Sequence, residues 1–338
     1  MGLTRATLQR GMGLMELLLA VVLGMALLAG LGRLLAHSLP LQQSLVVQAE
    51  RQEHMALLNH LWGELLQGAG ALGCLGTADT VVNFLNTQWS ALGLLAPLPG
   101  VEIIAQPTTA PLFASIRDLA EDSQALVVRG YGAPRAMLSE DLAGERGRAI
   151  LSADDSRINS GDIVMISDCR QASIFSATST RHSGGYVRFS WQAGEGALAN
   201  SDHGLTQDGA VSSATLALSE PGFAEGAGLY APTSSPISVA ESRPSRAERP
   251  IYTLWQKTLG ANALELITGV ERLYFRYGAW HPDHGGVIGY FDAEHLPDDA
   301  QVLLLSILVN VSVFDDQADT TNESVSFSMS FSVPLSGN

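Results

Sequence analysis

Met12-Gly-Leu-Met-Glu16-Leu-Leu-Leu-Ala20-Val-Val-Leu-Gly24-Met-Ala-Leu-Leu28 is the stretch on which the reading of this chain turns. Glu16 is the only charge between Arg10 and Arg33. An acidic residue at the centre of a membrane helix costs about 2.5–3.5 kcal/mol on insertion scales, and such residues usually pair with something. From Met12 to Gly32 there are 21 residues, close to the ~20 that span a bilayer core. Arg5 and Arg10 argue for a cytoplasmic N-terminus, which leaves the C-terminal bulk on the other side.

Upstream of the apolar run stands Arg10-Gly11. A cut between Gly11 and Met12 leaves Glu16 as the fifth residue of the mature chain and places a new α-amino group near it. This arrangement resembles the class III signal of type IV pilins and pseudopilins: a short basic leader, Gly before the cut, Glu at the fifth mature position and a long apolar helix. Met12 departs from the Phe usual in that family at the first mature position. Two other readings compete. A secretory signal peptide has basic residues, a short apolar core and a small-residue cleavage site, but Leu35-Ala36-His37-Ser38 is a poor site and a charge in the core does not fit. A plain single-span anchor leaves Gly11 and Glu16 unexplained.

Length and charge bound the rest. With 338 residues, one helix plus one large or two small domains is expected. The formal charge of −15 becomes −17 if Arg5 and Arg10 leave with the leader, and Lys257 is the only lysine. So acidic a chain is a poor nucleic-acid or anionic-lipid binder overall, and no nucleic-acid partner is expected. Cys74 and Cys169 are the only cysteines, and in an exported chain such a pair reads as one disulfide.

Beyond the membrane run, Leu41, Leu45, Ala49, Leu57, Leu58, Leu61, Trp62 and Leu65 recur at helical spacing, with Gln and Glu residues opposite. Pro40 predicts a kink or break, and Gly68, Gly70 and Gly73 predict a flexible exit. Short apolar or β-branched runs follow at Val101–Ala105, Ala125–Tyr131, Asp162–Asp168 and Tyr186–Trp191. Val325-Ser-Phe-Ser-Met-Ser-Phe-Ser-Val333 alternates with period two, predicting a strand with an apolar and a serine face, and Gln301–Phe314 is its natural partner. Leu264–Tyr277 fits helix and strand alike. Residues from about 192 to 250, rich in Gly, Ala, Ser and Pro, read as a long and partly unordered surface insertion and a candidate ligand-contact surface. These elements predict an α+β fold: a long N-terminal helix, half membrane-spanning and half amphipathic, packed on a β-rich antiparallel globular head. The divisions are a leader at 1–11, the helix at 12–67 and the head at 68–338.

Chemical motifs are weak. Gly68-Ala-Gly-Ala-Leu-Gly73 matches a dinucleotide pattern but closes a helix instead of opening one. His281-Pro-Asp-His284, Asp298-Asp299 and Asp315-Asp-Gln-Ala-Asp319 read as solvated turns, the last lacking the Gly and Glu of an EF-hand loop. No Walker loop, H-E-x-x-H, C-x-x-C or G-x-S-x-G is present. A non-enzymatic protein without cofactor or metal is expected.

Two further segments narrow the resemblance. Asp168-Cys169-Arg-Gln-Ala172-Ser-Ile-Phe175 resembles the Asp-Cys-x-x-Ala-x-x-Phe segment of PilW-type minor pilins, in which a second cysteine, here Cys74, follows the N-terminal helix. Glu265-Leu-Ile-Thr-Gly269-Val270 with Tyr277-Gly278 is similar to another of that family's segments. The resemblance implies a minor subunit that primes a type IV pilus and sits at or near its tip. It is cut by a prepilin peptidase after Gly11, methylated on Met12, held in the inner membrane with a periplasmic head, and then joined to other minor pilins and the major pilin in an extracellular filament. Glu16 then neutralises the α-amino group of a neighbouring subunit, a pair that favours correct register in a low-dielectric bundle. Gly24, Gly30 and Gly32 offer close helix packing. A minor pseudopilin of type II secretion and a tip adhesin are the alternatives.

Overall fold

The computed structural model describes residues 13–75, 81–88, 92–96, 99–142, 146–152, 158–206, 210–215, 222–242, 250–258, 262–280, 288–297, 301–313 and 323–332. It contains one α-helix, Leu14–Gln67, and nineteen strands in three sheets among these residues. Two compact units divide the chain, Met1–Leu57 and Leu58–Asn338. The first is the helix up to Leu57. The second begins with the last turns of that helix and holds every strand.

The expectation of an α+β pilin-like head with a long helix packed on it is overturned. The second unit is built from three sheets of ten, five and four strands, and the chain is mainly β. Of the described side chains in the predicted outer stripe, only those of the last turns are packed: Leu58 and Trp62 are buried, with Leu61 and Leu65 beside them. Leu45, Ala49, Met55 and Leu57 are exposed, and among the helix's described side chains the first buried one is Leu58. Apolar residues at helical spacing made this stretch look like a packed face, but spacing gives a stripe and not its cover. Pro40 does not break the helix, which is continuous across it.

The ten-stranded sheet runs, edge to edge, Val211–Thr215, Asn200–Leu205, Val81–Leu85, Ala172–Ser176, Ile163–Ser167, Gly228–Tyr230, Ala136–Leu138, Arg146–Leu151, Tyr186–Ser190 and Ser179–Ser183. All neighbours are antiparallel except Val81–Leu85 and Ala172–Ser176, which run parallel and correct the expectation of a purely antiparallel head. Ile163–Ser167 and Ala172–Ser176 are buried on both faces. Val164, Ile166 and Phe175 enter one core with Phe189, Trp191 and Leu229, while Ile163, Met165 and Ile174 enter another with Val81, Tyr131 and Tyr230. That two-sided burial explains why residues 163–166 are continuously apolar instead of alternating, while Ser167, Ser173 and Ser176 are buried as well.

The five-stranded sheet is ordered Ala263–Thr268, Tyr252–Lys257, Ser235–Glu241, Ala125–Val128, Val101–Ile104, and the four-stranded sheet Ile288–Phe291, Val270–Trp280, Gln301–Val313, Glu323–Ser332. Leu264–Tyr277 is therefore strand throughout, changing sheets at Gly269, whose φ of +88° suits glycine. Just beyond, Ser123 Oγ accepts from Leu273 N and Gln124 Oε1 from Phe275 N, at 3.0 and 2.7 Å, satisfying donors that Ile288–Phe291 is too short to reach. The serine-alternating strand pairs with Gln301–Val313 over its full length, as its pattern predicts. Phe327 is buried, and Ser326, Ser328, Ser330 and Ser332 are exposed.

The 192–250 segment is not a surface insertion. Gly228–Tyr230 lies within the ten-stranded sheet and Ser235–Glu241 at the centre of the five-stranded one, both buried. Small residues there permit tight burial, and their low hydropathy concealed it. His281–His284, Asp298-Asp299 and Asp315–Asp319 lie outside the described residues.

Candidate functional site

The feature that most needs a partner is the first half of the helix. Leu17–Leu34 has a mean hydropathy of 2.2 and none of it is buried. Leu17, Leu18, Leu19, Val22, Leu27 and Leu34 are each more than half exposed. They lie all round the helix, which is the pattern of a segment covered by lipid or by other helices and not of one resting on a single core. This one apolar N-terminal helix is long enough to cross a membrane, and a signal sequence has the same properties. Gly24, Gly30 and Gly32 have open space where a Cβ would stand, so no described residue of this chain packs closely on them. Glu16 belongs to the helix, with a side chain outside the described set. Gly11 and Met12 are outside the described residues.

At its other end the helix enters the head unit. Leu58, Trp62 and Leu66, spaced by four, are 0–2% exposed. They pack with Val101, Leu126 and Ile237 of one sheet and with Leu273, Phe275 and Ile307 of another. Trp62 meets Phe275 edge-on at 5.8 Å. The glycines that follow form an ordered exit and not a flexible one. Gly70 N donates to Arg129 O at 2.8 Å and Gly73 N to Tyr131 O at 2.9 Å, while Tyr131 N donates to Ala71 O at 2.6 Å. A Cβ on Gly100 would lie 2.3 Å from Gly70 N, and one on Gly130 2.2 Å from Gly68 O. The apparent nucleotide fingerprint is thus a strand-like backbone graft, which Gly100 and Gly130 of the facing segments let approach closely.

Immediately beyond, Cys74 bonds to Cys169 with a Cα–Cα distance of 4.8 Å. Cys169 sits in the turn between Ile163–Ser167 and Ala172–Ser176, at φ +67°. Asp168 Oδ1 accepts from Arg170 N and Gln171 N, both at 3.0 Å, and so builds the turn that presents the cysteine. Ala172 and Phe175 are core residues, at 1% and 0% exposure. Every marked position of Asp-Cys-x-x-Ala-x-x-Phe has a structural duty here.

Sequence reading missed the buried polar support of this junction. Arg129, 7% exposed, donates through Nη2 to Glu102 and through Nε to Gly93 O at 3.1 Å. The Tyr277 hydroxyl accepts from Ile103 N at 2.9 Å, and burial pushes its pKa up. Tyr131, fully buried, donates to Leu95 O at 2.9 Å and is likewise raised by burial. The only sequence signal was an arginine following the apolar run Ala125–Val128. Among the described residues no group of histidines, cysteines and carboxylates could hold a metal ion. Compared with protein families, curated proteins and solved structures, the chain matches none.

Proposed function

We propose that this chain is a minor pilin-type subunit that primes assembly of a type IV pilus and enters it at or near the tip. The observation that carries the reading is the uncovered apolar first half of the helix, in which the lone acid, Glu16, stands five positions after Gly11. Such a helix is covered by lipid before assembly and by neighbouring helices after it. The Cys74–Cys169 bond supports a head in an oxidising compartment. A role for 192–250 as a detachable adhesive insertion has no such support, since deleting it would remove buried strands from two sheets.

Mass spectrometry of the mature chain should find it beginning at Met12, with an N-methyl group. Glu16→Ala should still be cleaved but enter filaments poorly. A start near His37, or normal piliation by the Glu16→Ala strain, would overturn the proposal. Deletion of the gene should abolish pili and leave secretion intact; the reverse outcome assigns the subunit to a secretion system.

A further inference from the structure

At one end of the ten-stranded sheet, three arginines stand directly opposite one another on three adjacent strands. Arg148 faces Arg188, and Arg188 faces Arg181. Arg146 is two residues along from Arg148 and so shares its face. Arg146, Arg181 and Arg188 are exposed and Arg148 is half-buried. Like charges directly opposite across strands oppose pairing, and neighbouring strands set these about 4.8 Å apart. Among the described residues none of the four forms an ion pair. The Arg148 guanidinium carbon lies 4.1 Å from the Tyr186 ring centroid, and its Nε is buried without a hydrogen-bond partner.

A chain of net charge −15 thus concentrates four of its 19 cationic side chains around one hollow. The hollow, about 570 Å³, is lined by the four arginines together with Ser190 and Gln192, and Glu140 is the one carboxylate among its described lining residues. At the exposed positions Arg146, Arg181 and Arg188 a neutral polar residue would change stability by about 0.5 kcal/mol or less, so the fold does not require charge there.

We propose that this arginine row binds a linear anionic polysaccharide, with the guanidinium groups on its carboxylates or sulfates and the hydroxyl and amide groups on its sugar hydroxyls. Guanidinium forks suit both anions. A nucleic acid would need open aromatic rings for its bases; among the described residues, Phe189 at the hollow is buried and the nearby Tyr186 ring is already covered by Arg148. The Cys74–Cys169 bond suits a head in an oxidising compartment, where such polymers are met. The proposal stands independently of filament assembly.

The test uses the full chain in detergent micelles with heparin and polygalacturonate as anionic probes, neutral dextran as control, and single-stranded DNA of matched charge as competitor. Both anionic polymers should bind, less tightly as salt rises, and dextran should not. Arg148→Gln combined with Arg188→Gln should weaken binding about tenfold or more, and Arg181→Gln alone about threefold. Arg272→Gln, at a separate surface ion pair with Asp122, should leave it unchanged. Arg181 lies on the exposed edge strand, so its single variant decides the matter if the double variant fails to fold. Undiminished binding by Arg181→Gln, equal binding of dextran, or DNA binding as tight as that of heparin would overturn the proposal.

Discussion

Gly73 shows what one residue carries here. Its φ is +64°, and a Cβ would lie 2.6 Å from the Tyr230 ring. Gly73→Ala therefore meets both backbone strain and a clash, and should cost about 2–4 kcal/mol in chemical denaturation. Asp292 makes a different residue-scale argument. It accepts from the Tyr274 hydroxyl at 2.5 Å and from Arg276 Nε at 3.0 Å. The tyrosine hydrogen bond, aided by the arginine, holds its carboxyl below the ordinary 3.8. A lowered carboxyl stabilises the fold above its unfolded value, and that contribution is lost as pH falls through the folded value. Acid titration of Asp292→Asn should accordingly show less loss of stability below about pH 4 than the parent chain. A steeper loss would contradict the assignment.

At the scale of elements, the helix is one continuous segment with two environments. Its last turns are core. Trp62→Ala should cost about 3–5 kcal/mol, as removal of a fully buried aromatic does. Leu45→Gln, at a site 57% exposed, should change the stability of the purified chain by about 0.5 kcal/mol or less. Equal effects of the two variants would mean that burial does not begin where the structure puts it. Gly269 divides another continuous segment, sending Ala263–Thr268 into one sheet and Val270–Trp280 into the next. The ambiguity of Leu264–Tyr277 in the sequence has this origin: a strand that changes sheets changes which face is buried, and its alternation loses phase.

For the whole molecule, the Cys74–Cys169 bond closes 95 residues and ties the helix exit to the central hairpin of the largest sheet. Chain entropy assigns such a closure about 4–5 kcal/mol. Cys169→Ser should lower the denaturation midpoint of the head by a corresponding amount, and reductant should do the same to the parent chain but not to the variant. The apolar helix, the cysteine pair and the serine-alternating hairpin were legible because each depends on local pattern or on a count of two. The cover of the outer helix, the parallel pair, the sheet-central strands within 192–250 and the buried Arg129 were not. Each depends on which distant segment arrives beside it.

The sequence by itself therefore determined that an apolar helical stretch with a single acid, Glu16, comes before the strands, because hydropathy and period are properties of neighbours along the backbone. Tertiary structure alone decided that these strands form three sheets, that burial among the helix's described side chains starts at Leu58, and that Gly68–Gly73 is a close-packed junction. Those outcomes depend on steric fit and on hydrogen bonds between residues far apart in the chain, where no local periodicity records them.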